Sequence, residues 1–268
     1  MKPNRFTLWI PGILMFLVGL TVWMIPFFTR EVTAQRMQMQ VRSFLTHSQN
    51  GRNELDDPDR KVPDEGNPVE TTSAENMEPQ REYADLWGKM VSYNETIWQE
   101  KQEGLCDPWT YQQPSFVLGD YGTQTEIFGV IVIPKLELEL PLYLGATDQH
   151  LAEGAAHLSQ TSIPIGGSNT NCVIAGHRGW KGADYFRYIT ELSPGDEVIV
   201  VNLWETLTYT VTSTQIVAPN DINSIHIQAD RDMLTLLTCH PYASGGQQRY
   251  LVYCDRVITE EGGMHGTT

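Results

Sequence analysis

The chain has 268 residues, enough for one substantial domain with accessory segments. It carries 33 acidic and 18 basic residues, which give a formal net charge of −15. Because such a surface repels phosphate backbones, we expect no nucleic-acid partner.

An uncharged, mostly apolar run at Phe6–Phe28 is the first organised feature. At ~1.5 Å per helical residue it is long enough to cross a ~30 Å hydrocarbon core, and the preceding Lys2 and Arg5 favour a cytoplasmic N-terminus. A cleaved signal peptide is the alternative, but the run exceeds the usual apolar core of such a peptide and lacks a clear cleavage site. Residues 1–30 are therefore predicted to anchor the chain in the cell membrane in a single pass, with the rest outside the cytoplasm.

Two segments of different character follow the predicted anchor. Residues 31–81 predict a juxtamembrane helix as far as Leu45 and then an acidic, proline-containing, flexible stalk. Residues 82–126 begin with apolar side chains at helical spacing, from Tyr83 to Trp98, which predict an amphipathic helix packed on the domain.

Short β-rich runs separated by turns fill residues 127–258, before a polar tail at 259–268. Seven runs predict strands: Ile127–Ile133, Leu136–Tyr143, Cys172–His177, Val198–Leu203, Leu207–Val217, Met233–Thr238 and Arg249–Val257. Asp148–Glu153 and Ala183–Ile189 predict short helices. Many short strands with few helices between them predict a mostly β domain, either a closed barrel or a sandwich.

Three side chains of this region can carry acyl-transfer chemistry if their strands are neighbours. His177 ends one predicted strand, Cys239 follows another, and Arg249 begins the last. A thiolate attacks carbonyl carbon, an imidazole moves protons, and a permanently charged guanidinium stabilises an oxyanion. Taken singly, each residue has an ordinary interpretation as a core thiol, a satisfied polar ring or a surface charge. Together they favour acyl transfer through a thioester.

The motifs around these residues resemble those of the sortases, the cysteine transpeptidases of Gram-positive cell surfaces. The resemblance rests on Thr235-Leu-Leu-Thr-Cys-His-Pro-Tyr242 with Arg249, and on Ala175-Gly-His-Arg-Gly179. It extends over roughly residues 127–257 and includes three further motifs in the expected order: Gly154-Ala-Ala-His-Leu158, Ile163-Pro-Ile-Gly-Gly167 and Leu192-Ser-Pro-Gly-Asp196. It implies an eight-stranded sortase-type β-barrel with short helices.

The resemblance also implies a reaction and its residues. Sortases cleave a C-terminal sorting signal of the LPxTG type after its threonine, and an amine then resolves the thioester. By position, Cys239 is the nucleophile, His177 the general acid/base and Arg249 the oxyanion-stabilising residue, with the backbone amide of His240 completing the oxyanion site. The implied partners are surface or pilin proteins with LPxTG-like signals and an amine acceptor, either a pilin lysine or a cell-wall peptide. No cofactor and no metal are implied.

A second resemblance narrows the class. The segment Cys106-Asp-Pro-Trp109 lies between the predicted helix and the first predicted strand, and it resembles the lid of class C, or pilin-polymerising, sortases. In such a lid Asp107 pairs with the arginine, Trp109 covers the thiol, and Pro108 stiffens the loop between them. The plain alternative is that the segment ends a helix and packs its indole in the core.

Four alternative functions stay open. One is a housekeeping-type or other-class sortase that attaches proteins to peptidoglycan, because class C members often carry a second hydrophobic segment where this chain is polar. A second is a papain-like or L,D-transpeptidase enzyme, which the order and spacing of the three residues disfavour. A third is a non-catalytic scaffold, against which the intact trio argues. The fourth is metal binding by His177, Cys239 and His240, which is disfavoured because adjacent strand residues face opposite sides.

Overall fold

Eight β-strands close into a barrel in the computed structural model, which describes residues 10–55, 83–105, 113–180 and 182–258. In chain order they are β1 (Ile127–Ile133), β2 (Leu138–Leu144), β3 (Ala155–His157), β4 (Thr170–Ala175), β5 (Glu197–Asn202), β6 (Thr206–Val217), β7 (Asp232–His240) and β8 (Gln248–Arg256). Around the barrel the order is β1-β2-β3-β4-β7-β8-β6-β5. The prediction of a mostly β domain is confirmed, and the domain is a closed barrel rather than a sandwich.

Two strand pairings are parallel, β2 with β3 and β4 with β7. A parallel pair needs a long crossover, and here β5 and β6 lie in the connection between β4 and β7. The parallel pairing brings the carboxyl ends of β4 and β7 to the same rim of the barrel. Because β8 runs antiparallel to β7, the start of β8 lies at that rim as well.

Apolar side chains fill the barrel and explain why these segments form strands. Fully buried residues from strands around the barrel, such as Phe128, Leu142, Ile174, Leu234 and Val252, pack into one core cluster. Burying one such side chain stabilises the fold by about 1.5–3 kcal/mol. The packed apolar core therefore supports the rim at which β4 and β7 end and β8 begins.

The helix α2 (Ala84–Gln99) packs on this core, as its apolar spacing predicts. It buries Leu86 and Met90 completely and Asn94 nearly so. The Asn94 side chain accepts a hydrogen bond from the Ile163 amide at 2.7 Å and donates to the Ile163 carbonyl at 3.2 Å. The helix thereby satisfies a backbone segment that leads into β4.

A second long helix, α1 (Ile10–Leu55), continues ten residues past the expected end at Leu45. Its residues Met37, Val41 and Phe44 are buried in the two core clusters. Their spacing puts them on one helical face, a signal that the polar residues around them obscured in the sequence. Part of the segment expected to be juxtamembrane therefore packs on the barrel.

Within the described part of the chain, no helix has both the length and the apolar character needed to cross a membrane. The transmembrane helix predicted at Phe6–Phe28 is accordingly not found there, and the first residues of that segment lie outside the described residues.

Two local predictions for helices had different outcomes. The prediction at Asp148–Glu153 is confirmed by α3 (Asp148–Glu153), which the Thr147 side chain caps by accepting from the His150 amide. The prediction at Ala183–Ile189 is wrong, because these residues form turns before a short 3₁₀ helix at Ile189–Glu191. Tyr185 has a φ of 44°, in the left-handed region, which interrupts an α-helix.

The strand β3 was not predicted, and one of its residues, His157, has an unusual environment. His157 is fully buried, and its Nε2 donates to the Thr161 carbonyl at 3.1 Å. Burial lowers the pKa of His157 to about 4, so the ring is neutral in the folded protein at pH 7. Between pH 6.5 and about pH 4, His157 binds a proton in the unfolded chain but not in the folded chain. The free energy of unfolding therefore decreases as the pH falls through this range.

Because of the lowered pKa of His157, we expect the free energy of unfolding to be about 3 kcal/mol lower at pH 4 than at pH 7. His157→Gln should remove this part of the pH dependence, which urea denaturation at both pH values measures. His47→Gln, at an exposed position, is the matched control and should keep the wild-type dependence. An unchanged pH dependence in His157→Gln contradicts the assignment.

Candidate functional site

The predicted trio lies at one rim of the barrel. Cys239, the second-last residue of β7, is the register partner of Arg249 in β8. Side chains of directly paired residues share one face, with Cβ atoms about 4.5–5.5 Å apart. Ala175, the last residue of β4, is paired with Leu237, and His177 and Cys239 each lie two residues further on. The histidine, the thiol and the guanidinium are thus carried by three adjacent strand ends.

Two hydrogen bonds hold the chain before His177 against β7. The Gly176 amide donates to the Leu237 carbonyl at 3.1 Å, and the buried Thr238 hydroxyl donates to the Gly176 carbonyl at 2.8 Å. A Cβ at Gly176 would lie 2.7 Å from the Phe186 ring, so only glycine fits there. These contacts explain why a glycine precedes the histidine and a threonine precedes the cysteine.

Aromatic side chains orient the half-buried His177 ring. It stacks on Trp180 with ring centroids 4.7 Å apart and meets Tyr185 edge-on at 6.1 Å. The Tyr185 hydroxyl donates to the Ala152 carbonyl at 2.7 Å, which fixes that ring. Burial lowers the pKa of His177, and the negative charge of Asp148 partly opposes the shift. A neutral imidazole at pH 7 is able to accept a proton.

The loop between β7 and β8 borders both the thiol and the guanidinium. Arg249 Nη1 donates to the carbonyl of Gly246 at 2.6 Å and to that of Gln248 at 3.0 Å. A Cβ at Gly246 would lie 3.0 Å from Arg249 Nη1 and 3.4 Å from Cys239 Sγ. Gly246, with a φ of 81°, therefore borders the space that Cys239 Sγ and the Arg249 guanidinium share.

The remaining candidates are placed differently. His240 ends β7 opposite Gln248, so its backbone amide directly follows Cys239 at the rim. The segment 106–109, with the lid candidates Asp107, Pro108 and Trp109, lies outside the described residues.

The aromatic residues around His177 and the contacts of Arg178 were not predicted from the sequence. The Arg178 side chain contacts both residues at the end of β7. Its presence in the Gly-His-Arg-Gly motif was the available signal.

The other described cysteines differ from Cys239 in accessibility. Cys172 and Cys254 are free thiols buried in the core, and burial raises the pKa of each. Cys239 is a free thiol and only half-buried. Since the thiolate is the nucleophile, Cys239 is the reactive candidate of these three. Among the described side chains, no group of three His, Cys, Asp or Glu residues is placed to hold a metal ion.

Comparison with known proteins gives one consistent family. The family model described as the sortase domain matches residues 131–257. Sortase D of Bacillus subtilis strain 168 is 32% identical over 131 residues, which are 48% of this chain and 63% of that protein. The chain spans less than two thirds of the length of the curated relatives that it matches.

Solved structures match the fold over longer stretches. Sortase C of Streptococcus pneumoniae is 32% identical, with a TM-score of 0.59 over 66% of this chain and 89% of that chain. Sortase C-1 of Actinomyces oris is 31% identical, with a TM-score of 0.58 over 66% of this chain and 99% of that chain.

A methyl group at Gly246 should disturb the space that the thiol and guanidinium share. We expect Gly246→Ala to slow alkylation of Cys239 by iodoacetamide several-fold, because the new Cβ meets Nη1 and Sγ. Gly245→Ala is the matched control, since its φ of 70° is also positive but a Cβ there meets nothing within 4 Å. Both variants carry a similar backbone strain of about 1–2 kcal/mol. Equal alkylation rates in the two variants contradict the geometry.

Proposed function

The chain belongs to the sortase family, and we propose that it is a cysteine transpeptidase that forms a thioester at Cys239. The observation that carries the proposal is the pairing of Cys239 with Arg249 across β7 and β8, at the rim that His177 also reaches. This arrangement supplies a nucleophile, an oxyanion-stabilising cation and a proton carrier within one site.

In the first half of the reaction, the Cys239 thiolate attacks the threonine carbonyl of an LPxTG-like sorting signal. The carbonyl oxygen becomes an oxyanion, which the Arg249 guanidinium and the backbone amide of His240 stabilise. The thiol proton has passed to His177, and the imidazolium donates it to the departing amine as the C–N bond breaks. The products are a thioester on Cys239 and a released C-terminal peptide.

In the second half, an acceptor amine attacks the thioester carbonyl. His177, now neutral, removes a proton from the attacking nitrogen, and the Cys239 thiolate departs as the C–S bond breaks. Burial favours the neutral form of His177, which suits it to this step. His177 is then an imidazolium beside a thiolate, so the starting proton inventory is restored.

We assign the protein to pilin polymerisation, with a pilin protein as donor and a pilin lysine as acceptor. The similarity to sortase C of Streptococcus pneumoniae, which has a pilin substrate, supports this assignment. The second candidate is attachment of surface proteins to a cell-wall peptide, which is retained because curated relatives of this chain are named sortase D and sortase A rather than sortase C. Both use the same thioester and differ in the amine that resolves it.

The proposal places the catalytic domain, residues 127–258, outside the cytoplasm on a single-pass membrane anchor at 1–30. Its support is the uncharged apolar run at Phe6–Phe28. Residues 31–81 then connect the anchor to the domain, residues 82–126 supply the helix and lid segment, and 259–268 form a polar tail. The packing of Val41 and Phe44 on the barrel ties part of the connector to the domain.

We further propose that Asp107, Pro108 and Trp109 form a lid over the site. An anionic side chain suits pairing with Arg249, and an indole suits covering a thiol. A lid that engages Arg249 competes with the oxyanion for the same guanidinium, so it must move before the reaction.

A sorting-signal peptide should acylate Cys239 of the purified chain. Intact-mass and peptide-mapping spectrometry are expected to find a thioester on Cys239 and none on the buried Cys172 or Cys254. Arg249→Ala should lower the rate of peptide cleavage about 10²–10³-fold, because an oxyanion donor is lost. Absence of any adduct in the wild type and in a lid-opened variant defeats the enzymatic assignment.

Opening the lid should expose the thiol. Replacing Asp107 or Trp109 with glycine is expected to speed iodoacetamide alkylation of Cys239, because either change removes one end of the cover. Gln112→Gly, outside the motif, serves as the control for a glycine in this segment. Rates equal to the control in both lid variants contradict the lid.

A further inference from the structure

Arg178 follows His177 directly and has no part in the reaction steps above. We propose that Arg178 is a positioning residue that ties the loop carrying His177 to the end of the strand carrying Cys239. This inference rests on the proposed function, since it assigns a role within the same site.

The contacts of Arg178 reach both residues at the end of β7. Its Nη1 lies 3.3 Å from the Cys239 carbonyl oxygen and 2.6 Å from His240 Nδ1. The side chain is half-buried, and its Nε is shielded from solvent. One side chain therefore bridges the two adjacent pairs, His177–Arg178 and Cys239–His240.

The chemistry of the guanidinium defines the state of His240. Arginine has five N–H donors and no acceptor, so His240 Nδ1 accepts the hydrogen bond and carries no proton. The imidazole is thus neutral, and it packs against the Tyr250 ring with centroids 5.8 Å apart. Burial, and then the charge of Arg178, lower the pKa of His240, which agrees with this assignment.

A second, outer contact joins the same two loops. The Arg187 guanidinium lies 4.6 Å from the centre of the Tyr242 ring, and Gly179 lies beside that ring. If the Arg178 contacts are lost, the contact between Arg187 and Tyr242 still holds the two loops together. The expected effect is a displacement of His177 relative to Cys239 rather than unfolding, and a displacement of ~1 Å is able to reduce a rate by about 100-fold.

The test compares Arg178→Gln and Arg178→Lys in the full-length chain, with Arg42→Gln at an exposed position of α1 as the control. Arg178→Gln is expected to lower kcat for sorting-signal peptide cleavage about 10- to 100-fold with KM within about twofold, because alignment is lost while substrate binding is kept. Arg178→Lys should also lose kcat with KM nearly unchanged, since lysine retains the charge without the planar fork that makes the two contacts.

Wild-type kcat in Arg178→Gln would overturn the proposal. If that variant does not fold, His240→Phe replaces it, because phenylalanine removes the Nδ1 acceptor and keeps a ring beside Tyr250. A several-fold loss of kcat is then expected, and wild-type kcat overturns the proposal. A wild-type chain that forms no thioester defeats the proposed function itself, whereas an active wild type with an indifferent Arg178→Gln defeats only the positioning role.

Discussion

The pairing of β7 with a neighbouring strand on each of its edges determines where His177, Cys239 and Arg249 lie at the rim. On one side β7 runs parallel to β4, and on the other it runs antiparallel to β8. Because side chains alternate faces along a strand, a one-residue slip of β8 would turn Arg249 away from the face that carries Cys239. The closed barrel prevents such a slip, since β8 is also paired with β6. Backbone register, more than any single side-chain contact, assembles the three residues.

The arginines and the histidines at this rim differ in their charge, and this difference suits them to different roles. Two arginines with permanent charge, Arg178 and Arg249, flank the residue that carries the thiol. Two histidines, His177 and His240, have their pKa values lowered by burial and so favour the neutral form. A fixed cation suits the stabilisation of an oxyanion, and a neutral imidazole suits proton removal. We assign oxyanion stabilisation to Arg249, positioning of the His177 loop to Arg178 and proton movement to His177.

How much could be read from the sequence depended on the length and periodicity of each segment. The strand at Ile127–Ile133 and the helix at Asp148–Glu153 were predicted with their observed bounds, because the apolar patterns are long or flanked by clear signals. The strand Ala155–His157 is too short, and too poor in β-branched residues, to show a pattern. The docking of α1 through Met37 and neighbouring residues depends on tertiary packing. The contacts of Arg178 likewise exist only once β4 and β7 are paired.

We propose that the register of β7 and β8 delivers the Arg249 guanidinium to the oxyanion formed at Cys239. In the unacylated protein, Nη1 of that guanidinium donates to the carbonyls of Gly246 and Gln248. A crystal structure with a sorting-signal analogue bonded to Cys239 tests the claim most directly. We predict a guanidinium N–H within about 2.7–3.1 Å of the analogue's former carbonyl oxygen, with His177 beside the leaving-group position. An oxygen that points away from Arg249, with the guanidinium still hydrogen-bonded to the loop carbonyls, would contradict this proposal.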